Sequence, residues 1–114
     1  MLTTAVILFL VGAVFGLLVW LKVMGGKPTS KPVALVHGLI VVIAFLLVVV
    51  YSVSATGPIP LASIILFAVA AVGGLTLFIR DLSKTPGPKW LAVVHPVIAV
   101  IALILLVVFI AGNS

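Results

Sequence analysis

Four long apolar stretches, residues 2–24, 32–54, 59–79 and 89–112, alternate along this chain with three short breaks that carry its turn residues. At ~1.5 Å of rise per residue, about 20 apolar residues cover the ~30 Å hydrocarbon core of a bilayer, so each stretch is long enough to cross as a helix. The breaks read GGKPTSKP, SATGPIP and SKTPGPK. Gly25 and Gly26 read as a helix stop, since they lack the strand-to-helix context of a phosphate-binding loop. Pro32 and Pro88 suit the first turn of the helices that follow them. The pattern predicts an all-α protein, one transmembrane domain over residues 1–114, folded as an up-down-up-down four-helix bundle.

Composition agrees with the pattern: 66% of the 114 residues are hydrophobic and 6% are charged. A soluble domain of this size cannot hide so much apolar surface. Six Lys and Arg against one acidic residue give a formal charge of +5. Lys22, Lys27 and Lys31 surround the first break and Arg80, Lys84 and Lys89 the third, while the middle break and both ends have neither Lys nor Arg. That distribution is a topology signal and not a nucleic-acid surface. By the positive-inside rule, loops one and three are cytoplasmic and both termini outside, in a multi-pass protein of a prokaryotic plasma membrane. The opening MLTTAVILFL lacks the basic region of a cleaved signal peptide, so the first stretch is expected to stay as a helix. Trp20 and Trp90 mark the cytoplasmic interface and Tyr51 the outer one, as belt residues. There is no cysteine, which excludes disulfides, thiolate metal sites and thiol enzymes.

The second half of the chain repeats the first at a constant shift, without gaps, of 95 − 37 = 58 positions. LFLVGAVFGLL at 8–18 falls on LFAVAAVGGLT at 66–76, and KPVALVHGLIVVIAFLLVVV from Lys31 falls on KWLAVVHPVIAVIALILLVV from Lys89. Apolar helices resemble one another by chance, so the rarer matches carry the argument: Pro28 on Pro86, Lys31 on Lys89, Gly16 on Gly74 and His37 on His95. The repeats run over about 6–54 and 64–112. Each unit crosses twice, so the copies share one orientation and are related by a pseudo-twofold axis along the membrane normal.

The shift puts the only two histidines at one depth, on the second and fourth helices, about two turns in from the basic loops. In an up-and-down bundle those helices are diagonal neighbours roughly 13 Å apart, so the imidazoles are expected to face one another. The surrounding residues are small. On the i−3, i, i+4, i+7 face, His37 keeps company with Ala34, Val41 and Ala44, and His95 with Ala92, Ala99 and Ala102. The antiparallel first and third helices bring Gly16 and Gly74 near the histidine level, with Gly12 and Ala70 one turn deeper. Small residues also serve close helix packing in membranes, so this lining does not by itself define a cofactor site. Pro96, next to His95, withholds a helix hydrogen bond and frees the Ala92 carbonyl.

With this histidine pair the chain resembles the membrane b-type cytochromes, in which histidines of a transmembrane four-helix bundle hold haem. The resemblance implies one haem b with His37 and His95 as axial ligands to the iron, Gly12, Gly16, Ala34, Ala44, Ala70, Gly74, Ala92, Ala99 and Ala102 facing it, and propionates turned to the cytoplasmic rim near Lys31 and Lys89. Many such cytochromes carry a second haem, and this sequence has no second histidine pair. The implied role is therefore a single-electron relay on the cytoplasmic side, working with quinol or quinone, or within a larger respiratory or photosynthetic complex or a homo-oligomer.

Two other classes compete with this one. An accessory subunit without cofactor would use the histidines as hydrogen-bond partners between helices. A small multidrug-exporter-like transporter fits the helix count, but proton-coupled export needs an acid within the membrane, and the only carboxylate side chain, Asp81, is expected in a loop. A Zn or Cu site would have only two imidazoles, with Met24 too near the interface to help. Stand-alone catalysis is not expected, because no nucleophile and base come together.

Overall fold

In the computed structural model, which describes residues 1–85 and 88–113, the apolar stretches form four helices: α1 (Leu2–Met24), α2 (Lys31–Ser54), α3 (Leu61–Leu82) and α4 (Lys89–Gly112). Pro86, one of the repeat matches, lies outside the described residues. All four helices are long and apolar enough to cross a membrane. Pro32 sits in the first turn of α2 and Pro88 at the N-cap of α4, positions where a missing N–H costs no helix bond. α3 begins two residues later than its apolar run and ends three residues beyond it. Asp81 therefore lies in the last turn of α3, where the sequence reading put a loop. The charged Arg80-Asp81 pair looked like a helix end. It is instead a helical turn whose charges project into the polar rim.

α1 and α3 stop in the same way. Gly26 adopts φ 67 while its N–H reaches the Val23 carbonyl and the Lys27 N–H the Lys22 carbonyl. At the shifted position Lys84 adopts φ 57, with its N–H on Asp81 and that of Thr85 on Arg80. This is the left-handed helix stop that glycine accepts freely and a side chain accepts at a cost.

α1 packs along α2 and α3 along α4, and the bundle closes through α1 against α4 and α2 against α3. The two diagonals are therefore α1 with α3 and α2 with α4. One end of the bundle carries the two basic loops and the other carries both termini and the middle connection. We call them the basic and terminal ends. The core lies at the terminal end, where Leu2, Ala5, Phe9, Ala44, Val48, Phe67, Ala102 and Leu106 form one buried cluster. Burial follows the sequence shift: Ala5 and Ser63, Phe9 and Phe67, Ala44 and Ala102, Val48 and Leu106 are all buried. The phenylalanine rings meet across the α1/α3 diagonal, stacked with centroids 4.1 Å apart and planes within 1°.

Toward the basic end the packing loosens. Beyond Gly12 and Ala70, Ala92 is the one buried residue among those described. Large apolar side chains point outward, with Val53 82% and Val72 67% exposed, while much of the interior is alanine and glycine. That inversion suits lipid, where close backbone approach holds helices together and water gives no reason to hide leucine.

Candidate functional site

α2 and α4 place His37 and His95 opposite one another, half-buried, on the diagonal at the loosely packed level. Their ring centroids are 6.5 Å apart and their planes are nearly perpendicular, at 89°. Each imidazole is held by its own hairpin: His37 Nδ1 donates to the Gly12 carbonyl at 2.7 Å and His95 Nδ1 to the Ala70 carbonyl at 2.8 Å. A carbonyl can only accept, so in the neutral ring Nδ1 carries the proton and Nε2 keeps the lone pair. Among the described residues neither Nε2 has a hydrogen-bond partner.

The glycines explain how the rings come so close to α1 and α3. A Cβ on Gly16 would lie 2.8 Å from Cε1 of His37, and one on Gly74 would lie 2.8 Å from Cε1 of His95. Each ring is thus seated on a glycine one turn from the carbonyl it binds. Gly12 is occupied differently, since its absent Cβ leaves the space taken by Val41 Cγ1, at 2.6 Å from the Cβ position.

The remaining small residues divide by level. Ala44 and Ala102 belong to the packed core at the terminal end. Ala34 and Ala99 are half-buried on the histidine faces, and Ala92 and Ala70 are almost wholly buried. Gly12 and Ala70 thus contribute their carbonyls, which no sequence pattern reveals, because every residue carries one.

Two contacts close the bundle between the histidines and the basic end, one on each seam between the hairpins. On the α2/α3 seam Lys31 Nζ approaches Asp81 Oδ2 at 2.6 Å, and Thr29 Oγ1 donates to the same oxygen. Lys31, expected near a propionate, is therefore engaged by the only acidic side chain in the protein. Its repeat partner Lys89 faces no such acid, because the position matching Asp81, 81 − 58 = 23, is Val23. On the α1/α4 seam Trp20 Nε1 donates to the Ala92 carbonyl at 3.1 Å. That carbonyl is the one Pro96 cannot satisfy from within the helix. The corresponding residues in the other hairpins are Phe78, Ala34 and Gly38, where the helix has its own N–H and the aromatic ring needs no donor. Trp20, expected as a belt residue, is a specific partner. The signal that could have found it was the orphaned carbonyl at Ala92.

No third histidine, cysteine, aspartate or glutamate joins the imidazole pair among the described residues. Comparison with protein-family models, with curated proteins and with solved structures finds no match for this chain.

Proposed function

We propose that the protein is a membrane b-type cytochrome that holds one haem b between His37 and His95. The observation that carries this reading is the imidazole pair itself, with both Nδ1 tied to carbonyls, both Nε2 lone pairs unengaged among the described residues, and ring centroids 6.5 Å apart. Tying the far nitrogen of a ligand imidazole to a backbone carbonyl is the usual way proteins fix the tautomer and aim the ligating nitrogen. With centroids 6.5 Å apart, the two rings offer a pair of imidazole donors that would hold one metal centre between α2 and α4. Two imidazoles are a poor complete shell for a bare ion, and they suit a group that brings its own four in-plane donors. The donor set therefore fits haem.

In this reading His37 and His95 hold the iron, and the carbonyls of Gly12 and Ala70 keep the rings aimed. Gly16 and Gly74 let the rings sit close to α1 and α3. Lys89, with no acid opposite it in the repeat, is the better partner for a propionate, and Lys31 stays on Asp81. A haem so held supplies a one-electron couple. The basic end faces the cytoplasm by the distribution of its cations, so the electron would be exchanged there with quinol or a larger complex.

The experiment is an absorption spectrum of the detergent-purified protein, oxidised and dithionite-reduced, with a pyridine haemochrome assay. A sharp reduced α-band with one haem per chain, lost in both His37→Ala and His95→Ala, is the expected result. A second reading, an accessory subunit without cofactor, is favoured by the seating of both imidazoles on glycines and carbonyls, contacts that a purely structural pair would make. A protein that stays colourless after expression with haem precursor would overturn the haem assignment and leave that second reading.

A further inference from the structure

The turn that ends α1 builds a second feature, remote from the histidines. The left-handed conformation of Gly26 folds Lys27 back so that its N–H bonds the Lys22 carbonyl at 2.9 Å, which brings two lysines to one spot. Beside them opens a groove of about 410 Å³ between the end of α1 and the start of α2, walled by Leu18, Val19, Leu21 and Val33 and bordered by Lys22, Lys27 and Ser30. Its volume is more than ten times the ~30 Å³ share of one water.

We infer that this groove binds one anionic phospholipid, with the phosphate between Lys22 and Lys27 and the acyl chains along the apolar wall. Both charge and position support it. The protein has a single acidic side chain, and Lys31 and Thr29 already hold it, so neither lysine of the groove has an acid to pair with among the described residues. Lysines at a helix end keep their ammonium groups at headgroup level while their stems lie on apolar surface. Ser30, the N-cap residue of α2, makes no side-chain cap, so the positive end of the α2 dipole also opens on the groove. Free phosphate would gain nothing from the four apolar side chains, whereas a lipid uses both parts.

The repeat places the cations of the second turn differently. The same turn in the second hairpin, through Lys84, brings together Arg80 and Thr85, so Lys27 is replaced there by a neutral residue. Its second cation, Lys84, stands instead at the left-handed position that Gly26 holds in the first hairpin.

The test uses the full chain in mild detergent with equal amounts of phosphatidylglycerol and phosphatidylcholine, read by native mass spectrometry. The unaltered protein should retain phosphatidylglycerol in preference to phosphatidylcholine at one molecule per chain. The pair Lys22→Gln with Lys27→Gln should lose that preference about tenfold, while Arg80→Gln with Lys84→Gln, equal in charge removed, should keep it within about twofold. Equal losses in both pairs would mean a diffuse basic rim and overturn the site, as would retention in the first pair. A second measurement needs no variant. In phosphatidylglycerol nanodiscs, compared with phosphatidylcholine nanodiscs, Lys22 and Lys27 should be protected from amine acylation more than Lys84. Equal protection of all three would also overturn the inference. Neither readout depends on haem.

Discussion

The bond from Trp20 to the Ala92 carbonyl can be isolated by experiment, because the residue that creates the need for it is known. Pro96 has no N–H, so the Ala92 carbonyl lacks its usual helical donor, and Ala92 is 4% exposed, which leaves little room for water. Trp20→Phe removes the donor at 3.1 Å and keeps most of the aromatic bulk. A buried carbonyl left unpaired costs about 1–3 kcal/mol, while interhelical hydrogen bonds measured in membranes average about 0.6 and reach about 1.7 kcal/mol. Trp20→Phe should therefore cost about 1–2 kcal/mol. Pro96→Ala restores a backbone donor to the same carbonyl, and in that background Trp20→Phe should cost less than about 0.5 kcal/mol. The coupling of about 1 kcal/mol can be read from a double-mutant cycle, with unfolding by sodium dodecyl sulfate followed by far-ultraviolet circular dichroism. Equal costs of Trp20→Phe with and without Pro96 would refute the assignment and leave Trp20 as a packing residue.

Three further outcomes are expected in the same unfolding assay. Lys84→Gly should stabilise by about 0.5–1 kcal/mol, because Lys84 holds a left-handed conformation that Gly26 takes without strain at the matching place; a loss of stability would mean that the lysine side chain has a compensating contact. Ser63→Ala should raise stability by roughly 0.5–1 kcal/mol, since the Ser63 hydroxyl is fully buried without a partner among the described residues where the first repeat has Ala5, and a drop of 1 kcal/mol or more would reveal a bond to that oxygen. Gly74→Ala should destabilise by about 1–3 kcal/mol and displace His95, while Gly38→Ala, with open space around it, should not; indifference at Gly74 would show that the ring yields freely.

Helix number, helix placement and the pairing of histidines across a diagonal were legible because each rests on periodicity or shift. Bilayer thickness fixes the length of an apolar run, and the repeat transfers the depth of His37 to His95. The partners of those histidines were not legible. Gly12 and Ala70 act through backbone carbonyls, and among the small residues expected to face a haem Gly16 and Gly74 seat the rings while Ala44 and Ala102 pack in the core. The Lys31–Asp81 pair was hidden for another reason. Asp81 was read as loop because charges so often end a membrane helix, whereas α3 carries its last turn through Asp81 into the polar rim.

The histidine bonds and the phenylalanine stack differ in when they can form. Each imidazole bond joins residues 25 apart in sequence within one hairpin, α1 to α2 or α3 to α4. The stack of Phe9 on Phe67 joins the two hairpins and exists only once they have met. If helices insert first and associate afterwards, each hairpin arrives with its imidazole already oriented, and docking then brings two preset rings together with their planes nearly perpendicular. The chain assembles its most expensive polar groups in halves, each satisfied on one nitrogen before the interior has closed around it.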